Sequence, residues 1–299
     1  MIRIEATGLR ATVQDRGRFD HLRDGVPPSG PADPAAFAAA QALVGNDMDA
    51  AAIEIVGDGF TFRCDDRRIV AVTGRDVALR ARDLVPGWTS AFARPGETFA
   101  VSCGERSRFA YLGVSGGIAT EPILGSRSAY LPAGLGHTLR AGDALPLGMA
   151  HVDVERAGRL AVSPDYDTGQ IRAITGPHAQ RFTDEADSLF FSSEFRVEPA
   201  SDRMGTRLSG PRIPAREGEI LTIGVVAGAV QIPSGGAPIV LLAEHQATGG
   251  YPVIATVITA DLGLVAQRRP GEGLRFRRID RDLAVAALRD ARSAIEAIA

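Results

Sequence analysis

Arg94-Pro-Gly-Glu-Thr-Phe99 and Arg269-Pro-Gly-Glu-Gly-Leu274 are one phrase written twice in a chain of 299 residues. Proline sets φ near about −65° for the first central position of a tight turn, and glycine accepts the positive φ of the second. Each turn sits near the end of a stretch rich in short β-prone runs, so the repetition points to two related β domains; the plainer reading is a chance echo, since Pro-Gly turns before strands are common.

Those runs include Ile69-Val-Ala-Val-Thr73, Phe109-Ala-Tyr-Leu-Gly-Val114, Ile220-Leu-Thr-Ile-Gly224 and Ile239-Val-Leu-Leu-Ala243. With 34 Gly and 18 Pro punctuating them, they predict a mainly β fold of sandwiches or barrels with few helices. Asp33-Pro34 offers an N-cap and a proline at the first helical position, Ala35 to Val44 supplies helix formers, and Gly45-Asn46 is a stop. A second helix is expected within residues 177–191. A third is expected over 281–298, where Leu283, Ala287, Ala291, Ile295 and Ile298 recur at three- and four-residue steps and Asp280 stands in the capping place. The polar stretch 158–168 marks a boundary, giving domains 1–162 and 163–299.

Composition removes several chemistries. All 33 basic residues are Arg, because the chain contains no Lys. A Schiff-base lysine, a phosphate-binding P-loop lysine and a biotinylated lysine are therefore excluded. The formal charge of −3 with no long basic run argues against nucleic acid. No apolar run reaches the ~20 residues of a membrane span, and Met1-Ile-Arg-Ile-Glu-Ala6 has no signal pattern, so a cytoplasmic location without membrane attachment is expected. Cys64 and Cys103 lie in strand-like stretches and read as buried thiols. His21, His137, His151, His178 and His245 show no metal-ligand spacing, and no metal site is assigned.

Gly113-Val-Ser-Gly-Gly117 matches the spacing of a nucleophile elbow, but Ile118-Ala-Thr-Glu-Pro122 does not start the helix that an elbow needs, so a glycine turn is expected. Polar chemistry concentrates elsewhere. Thr12-Val-Gln-Asp-Arg-Gly-Arg18 gathers Gln14, Asp15, Arg16 and Arg18 just before a turn-rich stretch holding Ser29 and Asp33. Arginine pairs grip carboxylate or phosphate through bidentate forks, and Asp15 would either hold one of them or act as a general base; a solvated loop with local salt bridges is the plainer reading. Ser201-Asp-Arg-Met-Gly-Thr-Arg207 and His245-Gln-Ala-Thr-Gly-Gly-Tyr-Pro252 are similar clusters, offering Arg203, Gln246, Thr248 and Tyr251. Gly249-Gly250 either admits a ligand to the backbone or forms an ordinary turn. Asp261 and Gln267 sit in an otherwise apolar run, where a carboxylate must be paired or have a raised pKa.

Taken in order, residues 12–18, 25–33, 43–46, 124–128, 201–205 and 246–267 resemble the family of the 5-oxoprolinase C subunit, also called allophanate hydrolase subunit 2, the A/B half of a biotin-dependent carboxyltransferase-like domain. The resemblance covers nearly the whole chain. It implies two linked cyclophilin-like β-barrel domains plus a C-terminal helix, and a hetero-oligomer with a kinase-inhibitor-like partner subunit plus a third subunit. It further implies ATP-dependent hydrolysis of the cyclic amide 5-oxoproline to glutamate, with ATP handled on a partner and no covalently bound cofactor here. On that footing Asp15 and Asp261 are the candidate proton-handling acids. Gln14, Arg16, Arg18, Ser29, Arg203, Gln246, Thr248, Tyr251 and Gln267 are the candidate substrate contacts. Two other readings stand beside it: a carboxyltransferase component of a urea-type carboxylase, with biotin on a separate carrier, and a non-enzymatic antagonist of a histidine-kinase inhibitor.

Overall fold

The repeated phrase folds the same way twice. In the computed structural model, which describes residues 1–150, 152–216 and 220–298, Glu97 N–H donates to the Arg94 carbonyl and Glu272 N–H to the Arg269 carbonyl. Gly96 and Gly271 have φ of +76° and +89°. Each Glu side chain turns back to accept from the arginine amide that opens the turn, at 3.1 Å in one copy and 2.9 Å in the other. Both turns feed a strand, Thr98–Cys103 and Gly273–Arg278.

The chain divides into two compact units. One comprises Met1–Arg18, Ser29–Pro164 and Arg292–Ala299, the other Phe19–Pro28 and Asp165–Ala291. In the first, a six-stranded antiparallel sheet runs in the order Ala144–Leu145, Ile2–Thr7, Phe60–Cys64, Thr98–Cys103, Val77–Arg80, Leu84–Pro86. A five-stranded sheet follows the order Arg10–Gln14, Ala52–Val56, Ala110–Val114, Arg68–Gly74, Thr89–Ala93. Both sheets contribute to a single core: Ile4, Phe60, Phe62 and Phe99 come from one, Ile53, Ile55, Val72 and Leu112 from the other. Phe62 and Phe99 are directly opposed in register and stack with ring centroids 5.5 Å apart.

Helix α1, Pro34–Val44, covers the outer face of the five-stranded sheet, with Leu43 and Val44 against Ile69 and Ala71. Its ends are as the sequence prescribes: Asp33 accepts from Ala36 N–H at 3.1 Å, and Gly45 closes it at φ +74°. Asn46 then ties the helix to the 113–117 turn, accepting from Gly116 N–H at 2.7 Å and donating to the carbonyl of Val114 and the side chain of Gln41. A Cβ at Gly113 would lie 2.6 Å from the Ala40 carbonyl, so glycine lets the helix seat. Ser115 is buried, and its hydroxyl accepts from Ile69 N–H at 3.0 Å. The Gly-x-Ser-x-Gly segment is thus a packed glycine turn.

The second unit closes. Its seven strands run Gln170–Thr175, Val253–Val257, Ala229–Gln231, Ile239–Leu241, Gly205–Ser209, Phe195–Val197 and Gly273–Arg278, and the last pairs with the first in parallel, Gln170 opposite Arg275. Helix α2, Asp184–Ser192, is capped by Thr183 and packs Phe190 onto Phe276, centroids 4.5 Å apart. A two-stranded ribbon, Ile223–Gly224 with Thr248–Gly249, lies beside the barrel strands. Short helix α3, Leu262–Ala266, follows Asp261, and α4, Arg281–Glu296, begins where Asp280 Oδ1 accepts from Leu283 N–H at 2.8 Å.

The mainly β architecture with barrel closure holds, and the two units differ in it: one ladder is continuous, the other is two sheets over a shared core. The run 220–224 shrinks to a two-residue strand because Leu221 is 88% exposed and has no sheet to cover it. Cys64 is buried, and its thiol is pushed up to about 12 by burial; Cys103 is half-buried, raised by burial to about 11, and both are free. His151 lies outside the described residues. Among the described residues no helix is long and apolar enough to cross a membrane.

The α1 cap gives the first test. Asp33→Ala removes the acceptor for Ala36 N–H and should lower unfolding free energy by ~1 kcal/mol, read as a smaller urea midpoint with an unchanged m-value; an unchanged midpoint would show that the cap contributes nothing.

Candidate functional site

In the first unit, the strand Arg10–Gln14 ends at Asp15, a carboxylate only 6% exposed. Oδ1 accepts from Gly17 N–H at 2.9 Å, Ser126 Oγ–H at 2.5 Å and Ser128 Oγ–H at 2.7 Å, and Oδ2 accepts from Arg127 N–H at 2.5 Å. Burial alone would raise its pKa; the two serine hydroxyls and the two backbone amides outweigh that and hold it below the ordinary carboxylate value. An acid whose lone pairs are already taken by four donors is a poor proton acceptor at neutral pH. The geometry makes Asp15 an anchor for the 126–128 segment.

That segment is a hairpin tip. Ile123 and Ser126 exchange backbone hydrogen bonds around Leu124 and Gly125, both at positive φ, +52° and +77°, as a type I′ turn requires. Ala129 N–H donates to the Val13 carbonyl, extending the pairing along the strand. Gln14 is fully buried; its amide nitrogen donates to Thr12 Oγ1 at 3.1 Å, and its amide oxygen has no partner among the described residues. Arg18 is buried with its guanidinium on the Ser128 carbonyl. Arg16 is turned outward, in an exposed pair with Asp49 at 2.8 Å.

The loop before α1 is equally pinned. A Cβ at Gly30 would lie 2.8 Å from the Arg16 carbonyl, so glycine alone permits that approach. Ala32 N–H donates to Glu54 Oε2 at 3.0 Å, Asp33 N–H to the Tyr111 hydroxyl at 2.8 Å, and that hydroxyl donates to Glu54 at 2.8 Å. Ser29, at φ +57°, is buried with its hydroxyl unpartnered among the described residues. A non-glycine residue in the left-handed region costs on the order of 1–3 kcal/mol, and here the strain accompanies a hydroxyl held out of water.

In the second unit, Arg203 and Glu244 form a buried ion pair, Nε to Oε1 at 2.6 Å. The strands 205–209 and 239–241 pair beside it, and the Arg203 and Met204 carbonyls accept from Glu244 and Leu242 N–H. His245 is buried, with Nδ1 2.7 Å from the Gln246 carbonyl, and burial lowers its pKa, favouring the neutral ring. Gln246 donates its amide to Gln231 Oε1 at 3.2 Å. A Cβ at Gly249 would meet Gln231 Nε2 at 2.3 Å. The glycine pair thus admits a buried amide of the same unit to the backbone, at a position without positive φ, and Gln231 Nε2 itself has no partner among the described residues.

Thr248 and Tyr251 are exposed. Asp261, 1% exposed, takes a fork from Arg172, with Nη2 at 2.6 Å from Oδ1 and Nε at 3.1 Å from Oδ2, and also accepts from Arg172 N–H at 2.7 Å. The pairing that an acid in an apolar run requires is met by Arg172. Gln267 is buried at the end of α3. Sequence reasoning missed Ser126, Ser128, Glu54, Tyr111, Arg172, Glu244 and Gln231 as site-forming groups. The signal for Glu54 and Arg172 was a charge inside an apolar strand, Ile53-Glu-Ile55 and Ile171-Arg-Ala173.

Each β unit buries carboxylates among hydrogen-bond donors and holds one side-chain amide, Gln14 or Gln231, with an atom unpartnered among the described residues. The model of the carboxyltransferase domain, subdomains A and B, matches residues 24–278, and the chain belongs to that family. It is 33% identical over 306 residues to the 5-oxoprolinase C subunit of Escherichia coli strain K12, covering 100% of this chain and 98% of that protein. A crystal structure of TTHA0988 superposes with a TM-score of 0.85 at 33% identity over 92% of this chain, which spans 55% of that one. The Kluyveromyces lactis urea carboxylase superposes with a TM-score of 0.89 at 26% identity over 100% of this chain, which spans 29% of that protein.

Two outcomes follow from the carboxylates. Because folding lowers the Asp15 pKa, its stabilisation is present above the unfolded value of about 3.8 and fades as pH falls through the lower folded value. Asp15→Asn should then cost ~2–3 kcal/mol at pH 7, with the gap to the parent narrowing below about pH 4 in urea titrations at successive pH values. Arg203→Ala should cost ~3–5 kcal/mol by stranding Glu244, whereas Arg203→Met with Glu244→Leu should recover most of it; equal losses in guanidinium melts would contradict this account.

Proposed function

We propose that the chain is one subunit of an ATP-dependent 5-oxoprolinase, an assembly that adds water across the cyclic amide of 5-oxoproline to give glutamate. The observation that carries the reading is the end-to-end match to the Escherichia coli C subunit. Both candidate acids are occupied, Asp15 by four donors and Asp261 by Arg172. This chain then binds and orients, while proton handling and ATP belong to two partner subunits, of which one is kinase-inhibitor-like. The candidate substrate contacts are Gln14, Arg18 and Ser29, buried in the first unit, and Arg203 and Gln267, buried in the second, with Gln246 half-buried there. Arg16, Thr248 and Tyr251 are exposed and suit contact with a partner.

A second reading, a carboxyltransferase component of a urea-type carboxylase, is favoured by the superposition on the Kluyveromyces lactis enzyme. With no lysine in the chain, biotin would have to arrive on another protein. Co-expression with the two partner subunits separates the readings. The assembly should release glutamate from 5-oxoproline only with ATP and only when this chain is included. A folded assembly that releases none, yet carboxylates urea from a biotinylated carrier, would replace the first reading by the second.

A further inference from the structure

Beside the Asp15 anchor, within the first unit, lies a cavity of about 130 Å³. Its floor is apolar and buried, from Val13, Leu139 and Leu145, and Ile123 stands at the exposed rim. The volume is about four times the ~30 Å³ share of one water in the liquid and well under the ~300–1,000 Å³ of drug-sized pockets, so it has room for nothing larger than a small organic molecule.

Arg127 and Thr120 both line this cavity. The arginine is fixed at two points: its backbone N–H is bound by Asp15 Oδ2, and its Nε donates to the Thr120 carbonyl at 2.6 Å. Its two terminal nitrogens make no hydrogen bond or ion pair with any described residue. A guanidinium oriented by its Nε and backbone, half-buried, with the outer edge open, has lost its rotamer freedom before any ligand arrives. Planar bidentate pairing with a carboxylate is what that edge accepts best. Glu121, exposed on the rim, is the one acid lining the cavity and opposes an anion there.

We infer that this cavity is a binding subsite for a small monocarboxylic acid, with the carboxylate on the Arg127 fork and the hydrocarbon part on Val13, Leu139 and Leu145. Asp15 is a positioning residue for it, since its carboxylate sets the backbone of Arg127. The inference rests on the 5-oxoprolinase reading only for the identity of the acid. 5-Oxoproline carries a carboxylate on a lactam ring with an adjacent pair of methylenes, whereas urea carries neither charge nor hydrocarbon.

The test is calorimetric titration of the full chain with 5-oxoproline, with 2-pyrrolidinone, which is the same ring without its carboxylate, with urea and with a panel of aliphatic monocarboxylates. 5-Oxoproline should bind at least tenfold more tightly than 2-pyrrolidinone, and urea should not saturate. Arg127→Gln should remove that preference, weakening 5-oxoproline at least tenfold and leaving 2-pyrrolidinone unchanged, while Arg127→Lys should fall between. Glu121→Gln, an exposed change that leaves folding intact, should tighten 5-oxoproline several-fold. Carboxylate binding that ignores both substitutions, or no saturable binding of any monocarboxylate, overturns the subsite. The two ideas fail separately. Monocarboxylate binding through Arg127 in a chain whose assembly releases no glutamate would sink the 5-oxoprolinase reading alone. Glutamate release with an unchanged KM in Arg127→Gln would sink the subsite alone.

Discussion

A carboxylate taken out of water has to be surrounded by donors, and that requirement at Asp15 organises the first unit's polar end. Its four donors come from two places in the chain, the 15–17 turn and the 126–128 hairpin, and they hold a strand end, a type I′ turn and the backbone of Arg127 in one geometry. Were the acid neutral, one oxygen would become a donor and the charge-assisted part of the tether would be lost, leaving the Asp15 N–H to Ser128 and Ala129 N–H to Val13 bonds. The same constraint recurs at Glu54, which binds the Ala32 amide and Tyr111, and at Asp261 and Glu244, each met by an arginine. Burying an ion costs several kcal/mol after relaxation, and fork geometry with further hydrogen bonds is what offsets it.

The absence of lysine gives those pairings their character. A guanidinium has fixed planar donors, so Arg172 meets both oxygens of Asp261 while its backbone amide binds the same group. An ammonium, as a point charge on a flexible stem, would not impose that orientation.

What the sequence made legible was local. The caps of α1, the two Arg-Pro-Gly-Glu turns and the glycine turn at 113–117 depend on residues within a few positions of one another, and the side-chain types there admit few conformations. The partners of the buried charges were not legible. Ser126 is 111 residues from Asp15, Arg172 is 89 from Asp261 and Glu244 is 41 from Arg203. Only the folded sheets bring them together, so a sequence can show that Asp261 needs a partner without showing which. Gly249 was ambiguous for the same reason: its missing Cβ is required by the amide of Gln231, eighteen positions earlier on another strand.

This difference between acids and donors bears on what the chain can do. Proton transfer needs a group near its pKa, and Asp15 is held below the ordinary carboxylate value by its donors. Recognition needs oriented donors and acceptors that are not yet filled. The described residues retain several: the outer edge of Arg127, the amide nitrogen of Gln231, the amide oxygen of Gln14 and the hydroxyl of Ser29. Leaving a buried polar atom unmet costs ~1–3 kcal/mol, a cost removed when a ligand or a partner supplies the missing bond. In the first unit the acid Asp15 stands next to one such group, fixing the backbone of Arg127 whose outer edge is left open.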